Sequence, residues 1–231
     1  MNISEPCTLV LFDIDGTLVD ARPQAGLALE DAVESYFGIP QAGRTVTKSG
    51  RTDFEILADV GLQHLGRALQ PDEIIPLNAA YVACLKNGFG TNLPRILPGV
   101  TELLRDLSER EHIVLGLQTG NIQDAARVKL ESANLWDYFS CGSFGCSAVS
   151  RQEIVAWAFQ DAEDRGFVPK DVFLVGDSPS DILAGRANGC RTIGVATGDF
   201  SVQDLADVGA DFVIESLLPT KPILRVITSG M

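Results

Sequence analysis

Short apolar runs at residues 8–12, 112–118, 172–175, 192–196 and 211–214 constrain this chain more than any other feature. Each has the length and near-continuous hydrophobicity of a strand buried on both faces. Helix-like stretches at residues 101–110, 122–134, 151–165, 180–188 and 201–208 separate or follow them, and a weaker strand is expected near 139–144. A parallel crossover needs a long, usually helical connection. The alternation therefore predicts an α/β fold, a Rossmann-like parallel sheet core with helices on both faces.

Residues 22–93 break this rhythm, because their periodicity is helical and no clear strand stands out. Glu30, Asp31 and Glu34 fall opposite Leu27, Leu29, Val33 and Phe37, and Gly38 suits a helix stop. Thr52-x-x-Glu55 has the pattern of a capping box, and a further helix is expected at about 72–86. An insertion of this length exceeds an ordinary loop. We read a catalytic core of residues 1–20 and 94–231 carrying a helical cap domain, residues 21–93, able to serve as a lid.

In open parallel sheets, ligands sit beyond the carboxyl ends of the strands. The first run leads into Asp13-Ile14-Asp15-Gly16-Thr17-Leu18. Carboxylates at i and i+2 leave an extended backbone on one side, so one can attack while the other moves a proton; the same residues also suit a plain Asp-Gly turn. The second run ends in Gln118-Thr119-Gly120-Asn121, where a hydroxyl, a small residue and the amides of a helix start form an oxyanion cradle, or where Asn121 is simply an N-cap. The third leads into Gly176-Asp177-Ser178-Pro179-Ser180-Asp181, with Asp181 in the first turn of the next helix, or else two surface acids at a helix start.

Carboxylates converging on one crevice repel by about 4 kcal/mol per pair at ~4 Å and an effective dielectric of ~20. A cation must sit among them. Hard oxygen donors without a His or Cys cluster favour Mg2+, which also binds phosphate oxygens. Arg151 is the candidate side-chain cation: Ser150-x-x-Glu153 forms a capping box that puts it in the first turn of its helix, where a nearby anion would offset the unfavourable dipole. A solvated surface arginine is the alternative. Arg127 and Lys129 are weaker candidates, being mid-helix.

A net charge of −13 leaves no broad positive field for a nucleic acid or an anionic bilayer. The five cysteines lack the close pairing of a zinc site and read as reduced thiols. With no signal-peptide pattern at the start and no apolar stretch of the ~20 residues that spans a bilayer, a cytoplasmic protein is expected.

Asp13-x-Asp15-Gly-Thr-Leu, Thr119-Gly-Asn and Gly176-Asp-Ser-Pro-Ser-Asp181, in this order, resemble the haloacid dehalogenase-like hydrolase superfamily, and within it the phosphoglycolate phosphatase-like group with a cap inserted after the first motif. The resemblance implies Asp13 as nucleophile, Asp15 as general acid and base, and Thr119 holding the phosphoryl group with Gly120 and Asn121 beside it. It further implies Arg151 as the third-motif cation, although many relatives carry Lys there. Asp177 would bind magnesium together with Asp13 and the Asp15 backbone carbonyl, with Asp181 supporting that metal site. Gly50-Arg51-Thr52-Asp53 resembles the group's specificity loop, making Arg51 a candidate substrate-binding residue, unless it only flanks the Thr52 cap. The expected activity is magnesium-dependent hydrolysis of a small phosphorylated metabolite, phosphoglycolate-like or a sugar phosphate, by a monomer or homodimer. Phosphoglucomutase-like transfer and a non-catalytic binding protein on the same fold are the alternatives.

Overall fold

The computed structural model describes residues 6–40, 50–145 and 150–229, so Cys146 lies outside the described residues. The first apolar run becomes β1 (Pro6–Phe12), flanked in parallel by β4 (Ile113–Thr119) and β6 (Val168–Gly176). With β5 (Cys141–Phe144), β7 (Arg191–Val195) and β8 (Phe212–Ile214) these form a sheet of order β5-β4-β1-β6-β7-β8, parallel throughout. The expected Rossmann-like α/β fold is the observed one.

Alternation along β1 divides the core. Val10 and Phe12 point to one side. There they join Val100, Leu103, Leu104 and Leu107 of α4 (Val100–Ser108), Ala126 and Leu130 of α5 (Gln123–Ser132), and Ile223 and Ile227 of α9 (Lys221–Thr228). Leu9 and Leu11 point to the other side, against α6 (Arg151–Asp164) and α7 (Pro179–Ala187). The short α8 (Val202–Asp207) buries Leu205. Sequence patterning did not anticipate α9, a helix of two turns opening on Lys221-Pro222.

Between β2 (Val19–Asp20) and β3 (Arg95–Ile96), which pair antiparallel, lie three helices: α1 (Gln24–Phe37), α2 (Asp53–Val60) and α3 (Pro71–Phe89). A π-helical turn at Gly61–Leu65, unforeseen from the sequence, extends α2. The helix α1 stops at Gly38, which takes the left-handed φ of 68°. Leu29, Val33, Ile56, Val60, Leu77, Tyr81, Leu85 and Phe89 bury together and include Ile122, Ala125 and Val128 of α5, so the insertion and the sheet domain share a hydrophobic seam. Leu27 departs from expectation: it is 46% exposed and borders the cavity described below, because Leu29 and Val33 at i and i+4 already define the inward face.

Polar contacts fix this seam at one end. Thr52 and Glu55 form the expected capping box at the start of α2. Next to it, the Asp53 amide donates to the Gly120 carbonyl (2.8 Å), and the Asp53 carboxylate accepts from the Ile122 amide at the start of α5 (2.9 Å). Thr52→Ala should destabilise the insertion by about 1 kcal/mol, the usual loss of an N-cap, measurable by chemical denaturation.

Burial raises the Asp53 carboxyl to about 6 against the opposing pull of Lys129. Unfolded, it titrates near ~3.9. Between these values the folded chain holds the proton more tightly, so the stability this group contributes is present at low pH and is lost as pH rises through about 6. Asp53→Asn should therefore gain stability relative to the natural chain as pH rises across that window and hold a constant difference above it. A difference in denaturation midpoint independent of pH would contradict this.

Candidate active site

Three adjacent parallel strands deliver the sequence-predicted residues to one edge of the sheet. Asp13 follows β1, Thr119 ends β4 and Asp177 follows β6. Their neighbours in the fold share one cavity of about 460 Å³. Asp13, Asp15, Thr119, Gly120, Asn121, Arg151 and Asp177 border it from the sheet, and Leu27, Arg51, Asp53, Ile56 and Tyr81 from the inserted helices.

Oxygen atoms of Asp13, Asp177 and Asp181, all three buried, lie within 4.8 Å of one another. Burial, reinforced by Asp181 and Asp15 and opposed by Arg151, pushes the Asp13 carboxyl up to about 7. Burial likewise raises Asp177 well above its ordinary value, with Asp13 and Asp181 adding to the effect. Carboxyls crowded in this way repel one another, and a divalent cation among them would favour their ionised forms. The all-oxygen donor set suits a hard cation. The backbone admits the Asp177 carboxylate because residues 16 and 198 are glycines: a Cβ at either would run into it, and Gly16 also holds a left-handed φ of 82°. The Thr17 hydroxyl donates to Asp177 Oδ1 (3.3 Å).

Arg151 stands at the start of α6 behind the Ser150–Glu153 capping box, as its sequence predicts. It is not a solvated surface group. Its Nη2 lies 2.8 Å from Asp13 Oδ1 and 2.6 Å from Asp181 Oδ1, and burial, which by itself would favour the neutral form, is overcome by these two acids, so its pKa is raised. Asp181 is fully buried and saturated: Oδ1 also accepts from Gln118 Nε2 (2.9 Å), and Oδ2 accepts from the Ser178 amide (3.1 Å) and hydroxyl (2.7 Å). These bonds fix Asp181 as the anchor that aims Arg151 at Asp13.

Asp15 belongs to a separate network. Its Oδ2 accepts from Asn121 Nδ2 (2.8 Å) and Lys129 Nζ (2.5 Å), and Lys129 Nζ also reaches Asn121 Oδ1 (2.6 Å). Three readings from the sequence change here. Ile122, not Asn121, is the N-cap of α5, and the Asn121 side chain serves Asp15 instead. The amides expected to form an open cradle are engaged, Asn121 N–H with Thr119 Oγ1 (3.3 Å) and Ile122 N–H with Asp53. A mid-helix position makes Lys129 a weaker candidate by sequence, yet helical side chains lean toward the N-terminus, and its ammonium reaches the Asn121 side chain. A lysine on the same face as Ile122 and Ala125, the apolar face of α5, was the sequence signal for it.

Gly120 sits where three segments converge, since a Cβ there would meet Arg151, the Arg51 carbonyl and Thr52. The Arg51 guanidinium pairs with Asp59 (2.5 Å) and donates to the Glu55 carbonyl (3.2 Å) while bordering the cavity. Tyr81 of α3 faces the same space, its phenol raised in pKa by burial.

Comparison with known proteins places this geometry in a family. A phosphoglycolate phosphatase of Haemophilus influenzae is 29% identical over 195 residues, covering 82% of this chain and 86% of that protein. Among solved structures, a hydrolase from Pseudomonas syringae superposes with a TM-score of 0.71 at 23% identity, covering 96% of this chain and 99% of that one. A candidate beta-phosphoglucomutase from Bacteroides vulgatus superposes with a TM-score of 0.71 at 21% identity, covering 98% and 91%. These structural likenesses carry the fold. Residues 10–195 match the model of the haloacid dehalogenase-like hydrolases, and the chain belongs to that family.

Proposed function

We propose that this chain is a magnesium-dependent phosphatase of small phosphate monoesters that works through an aspartyl-phosphate on Asp13. The observation that carries the reading is the division of the acids into two networks around one cavity. Asp13 is paired with Arg151 beside Asp177, and Asp15 is held across the cavity by Asn121 and Lys129. The similarity to phosphoglycolate phosphatases supports a phosphate ester as substrate, and a cavity of about 460 Å³ suits a small metabolite.

Asp13 and Asp177, with the Asp15 backbone carbonyl, would hold the magnesium ion, and Asp181 supports that cluster. When bound, the ion supplies positive charge against the transferring phosphoryl oxygens. Arg151 orients the ester phosphate and Thr119 borders it, so that Asp13 attacks phosphorus in line with the leaving oxygen. The Asp13 oxygen–phosphorus bond forms, the ester oxygen–phosphorus bond breaks, and Asp15 gives its proton to the departing alkoxide. Water then loses a proton to Asp15, bonds to phosphorus and releases Asp13 with inorganic phosphate. The inserted helices act as the cap, excluding bulk water and contacting the leaving portion through residues such as Leu27 and Arg51.

Asp13→Asn should reduce phosphate release by roughly 10⁴-fold or more while far-ultraviolet circular dichroism stays unchanged. Near-normal turnover would exclude covalent catalysis at this residue. Exhaustive chelation should abolish activity and added Mg2+ should restore it; turnover that survives chelation would remove the metal from the reading. A screen of phosphoglycolate, sugar phosphates and nucleoside monophosphates, with released phosphate and sugar-phosphate isomers both quantified, identifies the substrate and separates hydrolysis from intramolecular transfer.

A further inference from the structure

Lys129 is 2% exposed, and a buried ammonium persists only where nearby acceptors offset its lost hydration. Its partners close a ring: Nζ reaches Asp15 Oδ2 and Asn121 Oδ1, and Asn121 Nδ2 returns to the same Asp15 Oδ2. The ring is lopsided. The Lys129 side chain is 3% exposed and that of Asp15 40%, so a buried cation holds a carboxylate that faces the cavity.

Both donors fall on Oδ2, and among the described residues none falls on Oδ1. Two donors on one oxygen also lock the rotamer of Asp15, as the ligands of a working site must be locked by their surroundings. Arg151, whose side chain is 11% exposed, contacts Asp13 and Asp181 instead. The two cations therefore divide the site, one at the nucleophile and one at the proton carrier. Tyr81 and Asp53 of the inserted helices border the same cavity as Lys129 and Asp15.

We propose that Lys129 is a positioning residue that holds Asp15 Oδ2 so that Oδ1 is aligned for both proton transfers. This rests on the reading of Asp15 as general acid and base. A positioning role predicts sensitivity to the leaving group, which a role in folding or in binding phosphate does not.

The test compares the full natural chain with Lys129→Met on two esters. The 4-nitrophenolate of 4-nitrophenyl phosphate departs without a proton, so aspartyl-phosphate forms at near-normal rate and only its hydrolysis slows. In Lys129→Met, kcat should fall by ~10²-fold while kcat/KM stays within about threefold, and a burst of nitrophenolate equal to the enzyme concentration should precede the steady state. With glycerol phosphate, an ester of an aliphatic alcohol, kcat/KM itself should fall by ~10²-fold. Proportional loss of kcat and kcat/KM on the aryl ester, absence of the burst, or unchanged kinetics on both esters would each overturn the assignment. If Lys129→Met does not fold, Lys129→Gln is read by the same criteria. A natural chain inert toward both esters and every ester of the substrate screen would overturn the phosphatase reading itself, whereas a natural chain active on both with no differential loss in the variant would overturn only the role of Lys129.

Discussion

Like-charge crowding at the carboxyl edge of three adjacent strands is the constraint on which the rest of this structure depends. Asp13, Asp177 and Asp181 are brought together because β1 lies beside β6: Asp13 and Asp177 sit just beyond those strands and Asp181 in the first turn of α7. Burial and mutual repulsion raise the carboxyls of Asp13 and Asp177, which marks the cluster as costly to the folded state and as a place where positive charge is bound strongly. The hydrophobic layers on both faces of the sheet carry that cost. Arg151 relieves part of it, and Asp181, fixed by Gln118 and the Ser178 cap, keeps Arg151 where the relief reaches Asp13.

The two site cations, Lys129 and Arg151, differ in the chemistry their shapes allow. Arg151 offers a planar fork and spans two acids at once. Lys129 offers a single point charge, which meets Asp15 and Asn121 at the end of a long apolar stem. Asp13 and Asp15 thus pair with different cations although they are only two residues apart in the chain.

The inserted helices are tied to the sheet domain by a hydrophobic seam on α5 and by the bonds of Asp53 to Gly120 and Ile122. Thus the elements that border the cavity from above also touch the loop that follows β4. Leu27, turned from its helix core to the cavity, and Arg51, oriented by Asp59, give the inserted side a mixed apolar and charged surface. Selection of the leaving portion resides there under the proposed function.

Local pattern by itself determined the parallel α/β architecture, the helical insertion, the capping boxes at Thr52 and Ser150, and the acids at the strand ends, because hydrophobic period and turn chemistry act over a few residues. Strand order and side-chain reach are not local. Only the tertiary structure decided that Asn121 serves Asp15 rather than capping α5, that Asp53 occupies the start of that helix, and that a mid-helix Lys129 is a site cation. Each depends on groups far apart in sequence finding one another across the seam, where the energy of a charged pair is set by the surrounding burial and not by the identity of either residue.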